Sequence, residues 1–195
     1  MSTETEGAAV VASPPKKFTA ASRMFHWLTA ILIFAMLLIG FTMVNWTAGY
    51  ATLRVIHISI GVVVLVVVIL RIINRFRHHP PAWPPTIGRI EGKTVIWSER
   101  ALYTLLLAQP LAGWAMVSAT GKPVLAFGGL RLPPIAPVDI NVYSVLRESH
   151  SVMAYLLVVV VAAHVSAVLA HSIVLSDGML RRMTFHIGRS QQSET

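Results

Sequence analysis

Eight histidines stand in a chain that holds no cysteine. Three of them, His150, His164 and His171, punctuate one nearly uncharged run from Arg147 to Leu175. Their spacings return to almost one face of an α-helix, drifting by roughly 40° and 20°, while the rise separates successive rings by roughly 21 Å and 10 Å. Imidazoles at membrane depth are expensive and face a bundle interior, so the stripe reads as a functional site. Ligating a metal and carrying a proton are the two chemistries that histidine brings there. Without cysteine, thiolate metal sites, iron–sulfur clusters, disulfides and covalent haem attachment are excluded.

The elements that must position these rings are membrane helices. Hydrophobic residues make up 55% of the 195-residue chain and charged ones 12%, with a mean hydropathy of +0.67; soluble domains are about one-quarter charged. Spans of ~20 residues cross a ~30 Å hydrocarbon core, so about four fit, with no room for a separate soluble module. Residues 1–22 read as a disordered tail. A first span from Met24 to Asn45 carries His26 and Trp27 at its head and reads as a retained span rather than a cleaved signal peptide. The second runs from Val55 to Ile73; its β-branched residues still form a helix, because backbone groups in lipid must be satisfied internally. Residues 74–95, with Pro80, Pro81, Pro84 and Pro85, read as a loop. The third span, Ile96 to Ala119, is expected to kink at Pro110 beside Gln109. Residues 120–146 form an irregular connection with room for short surface structure. The histidine run is the fourth span, which makes residues 23–184 one transmembrane domain and 185–195 a second tail.

Four spans put both termini and the second connection on one side of the membrane. Twelve of the sixteen lysines and arginines fall on that side and four, Arg54, Lys122, Arg131 and Arg147, on the other. The bias makes both termini cytoplasmic. It also accounts for the net charge of +8 as topology, leaving nucleic-acid binding without its main support.

Depth then pairs the rings. His26 opens span one on the cytoplasmic side and faces the depth of His164; His57 opens span two on the outer side and faces His150. Gly40 lies 14 residues beyond His26, and Arg71 lies 14 beyond His57. Gly40 is thereby expected on the ligand face at the outer depth, where it would let a flat cofactor approach the backbone. Arg71 is expected on the ligand face at the inner depth, where it would meet an anionic group of the cofactor. Zinc is a poor match, since zinc helices place ligands three or four residues apart. Haem suits imidazoles from facing helices, one pair per iron, and without cysteine it is b-type. A proton relay is the alternative. The expected fold class is all-α: an integral membrane four-helix bundle enclosing two b-type haems.

His26-Trp27, His57 followed by Gly61, Ser149-His150, and the run from His164 to His171 resemble the bacterial cytochrome b561 family, related to the b-type subunits of nickel–iron hydrogenases and formate dehydrogenases. The likeness covers nearly all of residues 22–184. It implies a diheme cytochrome of the bacterial inner membrane in which His26, His57, His150 and His164 are the axial iron ligands. Some members of similar size are superoxide oxidases that pass electrons to ubiquinone. Ser149 departs from the pattern, since close relatives have tryptophan there.

The expected function is electron transfer between an outer-face donor, superoxide among the candidates, and the quinone pool, with ubiquinone as acceptor and lipid as surroundings. The alternative is a haem-bearing anchor that passes electrons for a periplasmic redox partner. His171 is the candidate for a proton or quinone role, because quinone reduction consumes protons. His78, His79 and His186 are expected to be solvated.

Overall fold

The computed structural model describes residues 17–78, 81, 87–174 and 180–184. The expected tails of residues 1–16 and 185–195, and the loop around His79, lie outside the described residues.

Four long helices form the body: α1 (Ala20–Asn45), α2 (Tyr50–Arg77), α3 (Arg89–Ala119) and α4 (Ile140–Leu169). Each is long and apolar enough to cross a membrane. The helices are longer than their apolar cores, because polar residues cap them. Thr19 Oγ1 accepts from the Ser22 N–H at 3.2 Å and starts α1. Asp139 Oδ1 accepts from the N–H groups of Asn141 and Val142 at 2.7 and 3.0 Å and starts α4 seven residues ahead of Arg147. Between α2 and α3 the loop is much shorter than the expected span of residues 74–95. Helix α2 runs on to Arg77, with Arg75 and Arg77 in its last turn, where cations meet the negative end of the helix dipole. Helix α3 begins at Arg89, where Glu91 accepts from the Gly88 N–H at 3.0 Å. Arg75 and Glu99 then tie the two helices with paired bonds of 2.7 and 3.1 Å.

The connection after α3 is more ordered than its composition suggests. Strands β1 (Val124–Ala126) and β2 (Leu130–Leu132) pair antiparallel, with Leu125 opposite Arg131. The chain reverses through Phe127 and Gly128, both at positive φ. The Phe127 N–H donates to Ser59 Oγ at 2.8 Å and pins this hairpin to α2. We call this the hairpin end; the opposite one is the terminal end, where the Phe18 N–H donates to the Arg182 carbonyl and joins the start of α1 to residues 180–184.

Helix α1 packs along α2, α2 along α3, and α3 along α4, whereas α4 makes scarcely any close backbone approach to α1 or α2. Side chains bridge that wider separation, since Leu157 of α4 is buried in one cluster with Ile33 of α1 and Val64 of α2. The outer faces are apolar and exposed: Ile31, Phe34, Leu38, Phe41 and Val44 form a stripe along α1 at helical spacing, as lipid contact requires. The fold is all-α apart from the short hairpin: a membrane helical bundle.

Candidate functional site

Each ring-bearing helix follows one pattern, with two special positions 14 residues apart and a buried apolar residue midway. The series are His26, Ile33, Gly40 on α1; His57, Val64, Arg71 on α2; and His150, Leu157, His164 on α4. Ile33, Val64 and Leu157 meet in one buried cluster with Val68 and Leu106. Seven residues span about 10 Å of helix, so this cluster forms an apolar layer between two levels of histidine.

At the terminal end His26 and His164 face each other with ring centres 6.4 Å apart. At the hairpin end His57 and His150 stand 6.2 Å apart. Two imidazoles on one metal, each bonded at about 2 Å and with about 1.1 Å from nitrogen to ring centre, stand about 6.2 Å apart. Both pairs therefore have the spacing of axial ligands on a single iron. Among the described residues no group of three or more His, Cys, Asp or Glu could hold a metal ion, which leaves no zinc-type site. The donor sets fit b-type haem.

The two ends differ in what holds the rings. His150 Nδ1 lies 3.1 Å from the Gln109 carbonyl. A carbonyl only accepts, so Nδ1 carries the proton and the Nε2 lone pair is left for a metal. At the terminal end Arg71 Nη2 lies 2.9 Å from His26 Nδ1. A guanidinium only donates, so here Nδ1 is the acceptor. Sequence spacing put Arg71 at this level as a partner for a cofactor anion; the structure brings it to His26, with its guanidinium over the Tyr103 ring at 5.4 Å. Trp27 stands edge-on to His26, with ring centres 5.7 Å apart, and its indole N–H donates to the Met183 carbonyl at 2.9 Å.

Gly40 faces the hairpin-end pair: a Cβ there would meet His57 Cε1 at 3.6 Å, an ordinary contact. The tighter glycine is Gly113 on α3, where a Cβ would lie 3.1 Å from His150 Cε1. Sequence reasoning missed it, because α3 has no histidine from which to count. Its one signal is the distance from Gln109, a single helical turn. His57 Nδ1 is buried without a hydrogen-bond partner among the described residues.

His171 is half-buried and lies within a π-helical turn, Ala170–Val174. The π-turn begins only at Ala170, so the 100° count from His164 holds over most of the interval to His171. His78 is exposed beyond the end of α2.

A bundle of four membrane helices with two imidazole pairs at haem spacing defines a class, the b-type membrane cytochromes. Residues 17–186 match the prokaryotic cytochrome b561 family, and the chain belongs to it. It is similar to "Cytochrome b561 homolog 2" of Escherichia coli strain K12, 27% identical over 172 residues that cover 87% of this chain and 92% of that protein. It is also similar to "Probable superoxide oxidase CybB" of Yersinia pestis, 28% identical over 179 residues, covering 86% and 96% respectively. The protein is thus a bacterial membrane cytochrome that binds b-type haem and takes part in electron transfer.

Proposed function

We propose that the protein is a diheme cytochrome of the inner membrane, with both termini cytoplasmic and residues 23–184 as its working unit. It carries electrons from a donor at the hairpin end to quinone at the terminal end. The observation that carries this reading is the pair of facing imidazole couples, one at each level. His57 and His150 hold one haem b, and His26 and His164 hold the other. Each haem, held by two imidazoles, would supply a one-electron couple suited to outer-sphere transfer rather than oxygen binding. Ile33, Val64 and Leu157 keep water out of the path between the levels. Arg71 provides the cation for an anionic edge of the terminal-end haem once it leaves His26.

Two features support superoxide as the donor. Lys122 and Arg131 line an open cavity of about 340 Å³ at the hairpin end, and Arg54 and Arg147 belong to the same end of the chain. Cations at the mouth of a site steer an anion. The similarity to a probable superoxide oxidase points the same way. Two superoxide anions would each release one electron and leave as oxygen, and one ubiquinone would take both electrons with two protons. In this reading His171 passes a proton at the terminal end; the buried Ser172 hydroxyl beside it, without a partner among the described residues, supports a polar ligand there.

Spectra of the purified protein, oxidised and dithionite-reduced, test the whole reading: b-type bands with about two haems per chain are expected. His57→Ala and His26→Ala should each lose a different haem and leave about one. Two variants that lose the same haem would overturn the pairing. Replacing Lys122 and Arg131 together by glutamate should slow superoxide-driven quinone reduction several-fold at low salt, and the effect should fade as the Debye length falls below ~8 Å.

A specific feature favours a second reading, the haem-bearing anchor. Phe127, Leu130, Ile135 and Val138 leave apolar side chains exposed around the hairpin end, a surface on which a periplasmic redox partner could sit. Copurification of a redox subunit from native membranes, lost on Phe127→Asp, would favour it.

A further inference from the structure

Helix α3 contributes no histidine, yet it touches His150 at three points. The Gln109 carbonyl stands 3.1 Å from His150 Nδ1. The Gln109 side-chain amide donates to the His150 backbone carbonyl at 3.0 Å. One turn further on, Gly113 presents bare backbone to the imidazole: a Cβ there would lie 3.1 Å from Cε1 and 3.4 Å from Nδ1. Pro110 lies between the two residues within the helix. Its missing N–H removes a rung from the helical ladder next to the contact.

We propose that Gln109 and Gly113 form a seat that positions His150, so that α3 sets the tautomer and ring plane of the hairpin-end iron ligand without itself touching iron. Both are positioning residues. The carbonyl selects the Nδ1–H form and leaves the Nε2 lone pair free, in a ring whose centre lies 6.2 Å from that of His57. The amide bond ties the backbone of His150 to the same residue that orients its ring. Gly113 sets how closely the ring may lie against α3. A Cβ at that position would press on Cε1 and require the ring to give by a few tenths of an ångström. Arg71 makes the corresponding contact to His26 with the opposite polarity, so the seat belongs to the hairpin end alone. The inference rests on the proposed haem ligation by His57 and His150.

The test uses the full-length protein purified in detergent, with haem content measured by pyridine haemochromogen and each low-spin centre followed by EPR, which senses the axial ring planes. The terminal-end haem serves as an internal control. Gly113→Ala is expected to weaken retention of the hairpin-end haem by about 10- to 100-fold, as loss of an outer-sphere partner does. It should also shift that centre's EPR signal and leave the other as in the wild type. Gln109→Leu keeps the backbone carbonyl and loses only the amide bond, so it should shift the same signal with a smaller loss of haem. Wild-type signals in both variants would overturn the proposal. Loss of both haems together would overturn it too, since that marks Gly113 as a general packing residue. His150→Ala separates the levels of failure. If that variant keeps both haems, the ligand assignment itself is wrong; if it loses one while Gly113→Ala changes nothing, only the seat is wrong.

Discussion

The hairpin end and the terminal end carry the same motif, two facing imidazoles about one axial-ligand distance apart, yet they are built from opposite chemistry. At the hairpin end the neighbours of His150 are neutral: a carbonyl, an amide and a glycine. At the terminal end a guanidinium bonds His26, and further polar ties surround it. Asn74 Nδ2 donates to Ser22 Oγ at 2.8 Å, Arg23 donates to the Thr184 carbonyl at 2.9 Å, and Arg75 pairs with Glu99. At the hairpin end a carbonyl holds His150 in the Nδ1–H form. At the terminal end a guanidinium holds His26 with Nδ1 as acceptor. Under the proposed ligation a positive charge beside a redox centre favours its reduced state. The proposed asymmetry would then draw electrons towards the end that holds Arg71.

The comparison can be broken or sharpened by substitution. The largest effect is expected from Leu157→Ala, which opens the apolar layer between the two levels. A large-to-small change at such a buried position should cost ~2–5 kcal/mol. Thermal unfolding in detergent should show the loss while both haem spectra stay in place; a change at one end only would mean that the layer belongs to that end. A smaller effect is expected from Arg71→Leu. Removing the cation should lower the midpoint potential of the terminal-end haem and leave the hairpin-end haem unchanged, as resolved by redox titration. An equal shift at both ends would erase the proposed asymmetry. The smallest is expected from Trp27→Phe, which removes only the indole bond to the Met183 carbonyl. A loss of about 0.5–1.5 kcal/mol should appear, read as faster proteolysis near residues 180–184 with the hairpin-end EPR signal unchanged.

Much of the architecture was legible from the chain. Four long apolar segments must become helices in lipid, where backbone polar groups have no other partner. The 14-residue interval between special positions carries meaning because the helix repeat is rigid, and it placed His26 with His164 and His57 with His150 at matching depths before any coordinates. The limits of the helices were harder to read, since capping by Thr19, Glu91 and Asp139 extends them well into polar sequence. The π-turn that holds His171 was not legible either, since no composition signal announces it.

What the sequence determined by itself is periodicity and depth, because these follow from helix geometry within one segment and from the thickness of the bilayer. Which helix lies beside which was left to the tertiary structure. The order α1–α2–α3–α4 brings Gln109 and Gly113 to His150 and turns Arg71 onto His26. The physical reason is that helical spacing repeats within a segment, whereas a contact between segments depends on how two separate helices are rotated about their own axes. That rotation is set by packing among all four helices at once, so no single segment encodes it.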